Sequence, residues 1–221
     1  MLSIVLSTEN NHPCRGNHLN YQRYLKVGKY YLKGSVIASD PFILDSEEHI
    51  LAEKVNPRWR SVLLRIAEKL NAEGVTYKVV GGTTAALFKV PLPVKDIDIE
   101  STAEGAYLIQ KLFQDYVIQP VAFMESDSYR SHYGRFEIDG VNVEIMGDIH
   151  RREGDRWLPT STSTQTAIEL NGVPISSSWL EEETLAYIRR GRLERAALCL
   201  PYYERKRLLV LIKGEQATNV I

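Results

Sequence analysis

The sequence is short of cysteine, of net charge and of long apolar runs, and each shortage excludes something. Its two cysteines, Cys14 and Cys199, lie far apart and have no metal-ligand spacing, which favours reduced thiols in a cytoplasmic protein. Lys and Arg total 27 and Asp and Glu total 28, so the formal net charge is −1. We therefore expect no overall electrostatic attraction to nucleic acid. The net charge does not exclude a local basic patch.

No apolar run approaches the roughly 18 residues that a membrane-spanning helix needs. The first ten residues, MLSIVLSTEN, have neither a basic leader nor a long apolar segment, so they make a poor signal peptide. We expect a cytoplasmic protein without a membrane partner. A chain of 221 residues with 44% hydrophobic content is long enough for one well-packed domain and a smaller appendage.

The most informative stretch is residues 77–101, which reads YKVVGGTTAALFKVPLPVKDIDIES. It predicts an apolar strand, a double glycine and a short helix opened by Thr83 and Thr84. Glycine lets the backbone approach a ligand closely, and the first turn of a helix offers unpaired N–H groups to a phosphate. Gly81 and Gly82 therefore predict a phosphate-binding turn. The hydroxyls of Thr83 and Thr84 fit phosphate donors and helix caps equally well.

Two aspartates follow on the next predicted strand, in the segment Asp96-Ile97-Asp98-Ile99. Because side chains alternate between the faces of a strand, both carboxylates point one way and both isoleucines point into the core. The carboxylates stand about 6.5 to 7 Å apart along the strand. Oxygen ligands in this arrangement suit a hard divalent cation such as magnesium. A phosphate-binding turn beside a metal-binding pair indicates nucleoside triphosphate chemistry.

A third acid comes with a predicted hairpin. Residues 129–138 and 141–146 flank an Asp-Gly pair, which is a strong two-residue turn signal. That turn pairs Arg135 with Glu144 and turns Glu144 away from the face of its apolar neighbours. Glu144 is either an exposed strand residue paired with Arg135, or a third carboxylate that joins the two aspartates with Arg135 beside it. Given the aspartates upstream, we favour the second interpretation.

The remaining patterns predict an α+β fold with a mixed β-sheet, flanking helices and a C-terminal helical extension. One helix begins at Asn56 and Pro57 and ends near Gly74. Its predicted core residues are Trp59, Val62, Leu63, Ile66 and Leu70. A second helix, capped by Thr102, runs to Tyr116 before a short strand. Its predicted inward residues are Leu108, Leu112 and Phe113.

The chain becomes polar after Met146. Residues 148–164 predict an exposed loop around Trp157, and residues 167–176 predict a second hairpin with an Asn-Gly turn. A capping box that begins at Ser178 opens the C-terminal helices, the last of them over residues 202–212. The expected divisions are an N-terminal arm (1–45), a nucleotide-handling domain (46–176) and a C-terminal helical region (177–221).

Residues 1–45 form a basic, tyrosine-rich arm with interrupted helical spacing. Basic and aromatic side chains together could bind a nucleic acid strand through stacking and charge. The alternative is an amphipathic arm that packs on its own domain or on a second subunit. We favour the alternative because no RNA-binding motif accompanies the arm. A homodimer stays open, whereas a nucleic-acid partner is not favoured.

Three of these segments resemble the nucleotidyltransferases related to DNA polymerase beta. The family pattern is an apolar residue before Gly-Gly or Gly-Ser, an Asp-x-Asp on a strand, and a later lone carboxylate on a neighbouring strand. Here it stands as Val80-Gly81-Gly82, Asp96-Ile97-Asp98 and Val143-Glu144-Ile145. The resemblance covers residues 75–147. It is closest to the small bacterial branch of lincosamide, aminoglycoside and toxin-type nucleotidyltransferases.

The resemblance implies a catalytic site and its ligands. The catalytic residues would be Asp96, Asp98 and Glu144, which would hold magnesium, with two ions expected. Glu144 would complete this site or accept the proton of the attacking hydroxyl. The residues that would bind the nucleoside triphosphate are Gly81, Gly82, Thr83 and Thr84, together with Arg135. The implied reaction moves a nucleoside monophosphate to an acceptor hydroxyl on a small molecule, a protein or an RNA end, and releases pyrophosphate.

Two other interpretations stay open. The domain could keep the fold and the acids yet serve as a binding module or toxin–antitoxin component, or it could process nucleic acid through its arm. Near the site, Glu100 is expected to be a solvated strand-end acid, and His132 lacks a partner at ligand spacing. In the tail, Arg189 and Arg192 share a predicted helix face, where a solvated role is favoured over phosphate contact.

Overall fold

The computed structural model describes residues 21–27, 30–36, 58–160, 165–204 and 207. The chain divides into two compact units, one of residues 1–53 and 180–221 and one of residues 54–179. The elements in chain order are β1 (Tyr21–Val27), β2 (Tyr30–Val36), α1 (Trp59–Ala72), β3 (Tyr77–Val80), α2 (Gly81–Leu87), β4 (Asp96–Ser101), α3 (Ala103–Leu112), β5 (Val117–Glu125), β6 (Tyr129–Ile138), β7 (Val141–Glu153), β8 (Arg156–Pro159), β9 (Gln165–Leu170), β10 (Val173–Ser178), α4 (Leu180–Arg189) and α5 (Leu193–Cys199). Short 3₁₀ turns cover Gln114–Tyr116 and Leu200–Tyr202.

The larger unit is built on one mixed sheet. The strand order is β5-β6-β7-β4-β3-β10-β9, and β8 pairs with the end of β7. Strands β4 and β7 run parallel, as do β3 and β10, and the other neighbouring pairs are antiparallel. The predicted α+β fold with a mixed sheet and flanking helices is confirmed.

Helices α1 and α3 pack into the core of this unit. The buried residues of α1 include the five that were predicted, namely Trp59, Val62, Leu63, Ile66 and Leu70. They belong to one apolar cluster with Ile97 and Ile99 of β4 and Val143 and Ile145 of β7. Because side chains alternate along a strand, Asp98 of β4 and Glu144 of β7 project from the opposite face of the sheet. The predicted cap at Asn56 lies outside the described residues.

Helix α3 differs from its prediction in length and in its inward face. Thr102 caps it as expected, because its hydroxyl accepts a hydrogen bond of 3.0 Å from a first-turn N–H. The core-facing residues are Ala106, Ile109 and, just after the helix, Phe113. The prediction for Leu108 is wrong, since it is 38% exposed. A Cβ at Gly147 of β7 would lie 2.9 Å from the Ala106 Cβ, so α3 meets the sheet through small residues.

Both predicted two-residue hairpins are confirmed. Between β6 and β7, Asp139 and Gly140 have φ of 50° and 75°, the positive angles that such a tight turn requires. Between β9 and β10, Asn171 and Gly172 have φ of 51° and 81°. Each turn fixes the register of its two strands.

The loop predicted for residues 148–164 is wrong. Strand β7 continues to Glu153 and pairs with β8. The ring of Trp157 is covered by the guanidinium groups of Arg130 and Arg152, at 5.0 and 5.9 Å from its centre. Long polar side chains therefore cover the aromatic ring, and a polar sequence forms a hairpin. The Ser/Thr run at 161–164 lies outside the described residues.

The smaller unit contains an antiparallel hairpin and two short helices. In the hairpin Tyr21 pairs with Val36 and Val27 pairs with Tyr30, so this part of the arm is extended. The rest of the arm, and most of the helix predicted over 202–212, lie outside the described residues. Within the described ranges, no helix is both long and apolar enough to cross a membrane.

The helices of the tail begin near the predicted position, but one prediction about them is wrong. Ser178 is the last residue of β10, and α4 begins at Leu180. Arg189 ends α4, whereas Arg192 precedes α5. Gly191, with a φ of 69°, separates the two helices, so the two arginines share no helix face.

Candidate active site

Parallel pairing of β4 with β7 brings the third acid to the first two. Asp98 and Glu144 are direct partners in the register, and Asp96 is paired with Asn142. Directly paired residues point to the same face of a sheet, and neighbouring strands lie about 4.8 Å apart. The structure therefore gathers the carboxylates of Asp96, Asp98 and Glu144 on one face, which we call the acidic face.

The glycine turn after β3 contacts one of these acids. Val80 is still extended, and Gly81 begins α2 with a φ of 69°. A Cβ atom at Gly81 would overlap the Asp98 carboxylate, whereas one at Gly82 would meet only the Pro93 carbonyl oxygen, at 3.7 Å. Position 81 therefore requires glycine both for its backbone angle and for space.

The side chains of Thr83 and Thr84 are used inside the protein. Both residues are fully buried. The Thr83 hydroxyl donates to the Asp96 carbonyl oxygen at 2.9 Å, and the Thr84 hydroxyl donates to the Val79 carbonyl oxygen at 2.8 Å. Neither hydroxyl caps α2, so the expected role as cap or phosphate donor is corrected. Only the backbone N–H groups of this first turn stay candidates for a phosphate.

Strand β6 supplies two more residues to the acidic face. Arg135 pairs with Glu144, as the turn predicted. The Nε atom of Arg135 is buried and has no hydrogen-bond partner among the described residues. Tyr133 shares the face of Arg135 because it lies two positions earlier on the strand. Its hydroxyl is close enough to the Glu144 carboxylate for that negative charge to raise the pKa of Tyr133.

The electrostatics of Tyr133 reflect this cluster. Burial is the main cause that raises the pKa of Tyr133 well above its usual value of 10.0, followed by the negative charge of Glu144. Arg135 acts in the opposite sense, and Asp98 adds a further increase. Tyr133 therefore keeps its hydroxyl proton at neutral pH.

Two further polar residues beside the acids, Tyr133 and Lys78, were not predicted. For Tyr133 a signal existed, because strand alternation already placed it on the face of Arg135. Lys78 of β3 pairs with Glu100 of β4, and their Nζ and Oε2 atoms are 3.3 Å apart with only 4% and 11% of the side chains exposed. The prediction that Glu100 is a solvated acid is therefore wrong.

His132 does not belong to the acidic face. It pairs with Gly147, and a Cβ at Gly147 would contact helix α3. The His132 Nδ1 atom lies 3.2 Å from the hydroxyl of Tyr107, which is a residue of α3. His132 therefore packs on the helix-covered side of the sheet.

The acidic face offers oxygen ligands to a divalent cation. Among the residues that the structure describes, no three acidic, histidine or cysteine side chains are grouped closely enough to hold an ion by themselves. Magnesium is commonly held by one or two carboxylates together with substrate phosphate oxygens and water. The directly paired Asp98 and Glu144, with Asp96 at the start of β4, fit this shared coordination.

Comparison with known proteins points to one family. The sequence profile described as aminoglycoside-2″-adenylyltransferase matches residues 62–197. A Thermotoga maritima protein, provisionally assigned as a nucleotidyltransferase, is 38% identical over 64% of this chain and 90% of its own, with a TM-score of 0.60.

Two further structures are more distant. An antigenic nucleotidyltransferase-like protein from Paracoccidioides brasiliensis is 15% identical over 66% of this chain and 76% of its own, with a TM-score of 0.42. The lincomycin-bound lincosamide adenylyltransferase LnuA is 16% identical over 65% of this chain and 97% of its own, with a TM-score of 0.44. A comparison with curated proteins gives no match.

The profile spans more than half of the chain and includes the glycine turn and all three acids. The Thermotoga protein is aligned over most of its own length. The chain therefore belongs to the aminoglycoside-2″-adenylyltransferase family of nucleotidyltransferases.

Proposed function

We propose that the protein transfers AMP from ATP to a hydroxyl group of an amino-sugar acceptor, and that the transfer depends on magnesium. The family supports nucleotide transfer, and its description supports the adenylyl group and the aminoglycoside class of acceptor. The observation that carries the proposal is the direct pairing of Asp98 with Glu144 beside the Gly81 turn.

In this proposal the chain binds the triphosphate at two places. The backbone of Gly81 and Gly82 approaches the phosphates, where the first turn of α2 contributes N–H groups. The buried Nε of Arg135 offers a charged donor from the other side of Glu144. Asp96, Asp98 and Glu144 would hold the magnesium. A bound ion would neutralise phosphate charge and draw the reacting oxygens together.

The reaction forms one bond and breaks one. The acceptor oxygen attacks the α-phosphorus in line, the bond from that phosphorus to the bridging oxygen of the β-phosphate breaks, and pyrophosphate leaves. Glu144 is the candidate for the base that takes the hydroxyl proton. The acidic face also attracts the ammonium groups of an amino sugar. Positioning and charge supply most of the rate enhancement in such a transfer.

A coupled assay for pyrophosphate tests the proposal. The protein is incubated with ATP, magnesium and a panel of aminoglycosides, lincosamides and plain sugars. The products are then identified by mass spectrometry. We expect an adenylyl adduct on an aminoglycoside, lost when magnesium is chelated. Asp98→Asn should lower kcat by about 100-fold or more, while Asp115→Asn, in an exposed 3₁₀ turn, should not.

Transfer that persists in Asp98→Asn would contradict the assignment of the site. An adduct found only on a lincosamide or a plain sugar would support adenylyl transfer but contradict the aminoglycoside class of acceptor. No pyrophosphate release with any acceptor would contradict the function.

A further inference from the structure

Helix α3 presents a stripe of four exposed side chains on the side away from the core. They are Glu104, Tyr107, Leu108 and Lys111. Their spacing of i, i+3, i+4 and i+7 places them on one face of the helix. Tyr107 and Leu108 are 44% and 38% exposed. Two large apolar side chains therefore face solvent between an acid and a base.

The apolar part of the stripe continues onto β5. The Tyr107 hydroxyl lies 3.2 Å from His132 Nδ1, and the rings of Tyr107 and Phe123 meet the His132 ring edge-on, at 5.5 and 5.6 Å between centres. Phe123 is 56% exposed. These contacts hold the rings in place before a partner arrives, which lowers the entropic cost of binding. Exposed apolar residues grouped in this way mark an interaction surface.

The edge of the sheet beside this surface is not suited to strand pairing. β5 is the last strand of the sheet, and its pairing with β6 shifts register on both sides of Gln119. Pro120 follows in the same stretch and has no N–H to donate. Irregular edges that contain proline disfavour the addition of another strand. A partner is therefore expected to pack against the side chains of α3.

The order of the charges makes the stripe complementary to itself. Glu104 and Lys111 are equally far along the helix from the point midway between Tyr107 and Leu108. If a second copy packs its α3 antiparallel across this point, each Glu104 faces Lys111 of the partner subunit. Such a two-fold interface uses the same patch on both copies. In the part of the chain that the structure describes, neither Glu104 nor Lys111 has an ion-pair partner.

We propose that this stripe, together with Phe123, binds a second copy of the chain. The two α3 helices lie antiparallel, with two ion pairs of Glu104 and Lys111 around a centre of Tyr107 and Leu108. One short helix provides a small contact area, and interfaces below about 600 Å² on each partner are typical of weak complexes. We therefore expect a Kd in the micromolar range. The inference does not depend on the proposed function, because α3 lies on the side of the sheet opposite to the acidic face.

Charge reversal tests the pairing. Analytical ultracentrifugation of the full chain from about 1 to 200 μM, a range that covers such a Kd, should show a monomer–dimer equilibrium. Glu104→Lys would place two lysines together at each contact, and Lys111→Glu would place two glutamates together. Both variants should dimerise about 10-fold or more weakly. Glu68→Lys makes the same charge change at an exposed position of α1 and should dimerise like the wild type.

Two combinations should restore association. The double variant Glu104→Lys/Lys111→Glu again opposes unlike charges in its homodimer. An equimolar mixture of the two single variants should form a heterodimer, since one has lysine and the other has glutamate at both positions. If the two charges act only on the dipole of α3, the reversals would change the free energy of unfolding and leave association unchanged, which would overturn the inference.

Leu108→Ser removes an apolar contact without a change of charge and should also weaken the dimer, so the inference is tested even where a charge variant fails to fold. A wild type that stays monomeric over the whole range would overturn the inference. A dimer that neither Leu108→Ser nor charge reversal weakens, or that neither combination restores, would overturn it as well. A wild type that dimerises but transfers no AMP would contradict the proposed function and leave this interface standing.

Discussion

The carboxylate of Asp98 occupies the space that a Cβ atom at Gly81 would need. Gly81 also has a φ of 69°, which disfavours any side chain on the backbone itself. The glycine turn and the acid pair therefore form one structural unit. A side chain at Gly81 would displace the Asp98 carboxylate.

Gly81→Ala should lower both stability and activity. A left-handed alanine costs about 1–2 kcal/mol, and displacement of Asp98 adds to this loss in the free energy of unfolding. Most transfer activity should disappear. Urea unfolding and kcat measure the two effects. For stability the control is Gly82→Ala, whose Cβ would have an ordinary contact of 3.7 Å; we expect a change within about 1 kcal/mol. Equal destabilisation by both variants would contradict the explanation.

Lys78→Met should destabilise the larger unit strongly. The substitution leaves the Glu100 carboxylate buried without the ammonium group 3.3 Å away, and breaking a buried pair from one side costs about 3–5 kcal/mol. The double variant Lys78→Met/Glu100→Leu should be more stable than Lys78→Met alone, because Glu100 is then no longer a buried carboxylate that has lost its ammonium partner. Urea unfolding of the single and double variants provides the comparison. Additive losses would rule out this coupling.

Thr84→Val should also destabilise the fold. Valine keeps the shape of threonine but removes the donor to the Val79 carbonyl oxygen and the contact of 3.0 Å with Ser177 Oγ. Ser177 Oγ still contacts the Val79 carbonyl oxygen at 3.5 Å, so the cost is that of a lost hydrogen bond, about 0.5–1.5 kcal/mol. Thr166→Val on β9, where the residue is partly exposed, should change the unfolding free energy by no more than about 0.5 kcal/mol. A neutral Thr84→Val would show that the network contributes nothing.

The smaller unit should lose stability at alkaline pH. Burial raises the pKa of Cys199 from 9.0 to about 12 and that of Tyr187 from 10.0 to about 12. The unfolded chain therefore releases these protons first, so the contribution to stability is complete below about pH 9 and is lost toward pH 12. The unfolding free energy should fall by up to about 1.4 kcal/mol per pH unit for each group.

Cys199→Ala separates the two groups. Between pH 9 and 10 the thiol is the main group that titrates in the unfolded chain, so the variant should show a flatter pH dependence there. Urea unfolding at intervals from pH 8 to 11 measures the slope. An unchanged slope in Cys199→Ala would contradict the role of the buried thiol.

Short-range features could be predicted from the sequence because local chemistry determines them. An Asp-Gly turn fixes the register of its hairpin, and the pairing of Arg135 with Glu144 followed from it. The β4–β7 register is different, because no turn connects these two parallel strands. That Asp98 would be the partner of Glu144, and that Lys78 would meet Glu100, depended on how distant segments pack.

Two wrong predictions, for Leu108 and for residues 148–164, also depended on contacts between distant segments. Leu108 was expected in the core from its helical spacing with Leu112, but the face of α3 that meets the sheet carries Ala106 and Ile109 instead. The hairpin of β7 and β8 looked like a loop because its residues are polar. Of the two arginines that cover Trp157, Arg152 is its direct partner across the hairpin, whereas Arg130 comes from β6, and its proximity to Trp157 could not be predicted from spacing.

The two strands that meet at Asp98 and Glu144 are separated along the chain by α3, β5 and β6. A fragment that stops before Val141 contains the glycine turn and two of the acids but lacks their partner. Under the proposed function, turnover can therefore begin only after β7 has paired with β4. The rate at which pyrophosphate release recovers during refolding would measure the pairing of β7 with β4. Chains truncated before β7 should have no activity.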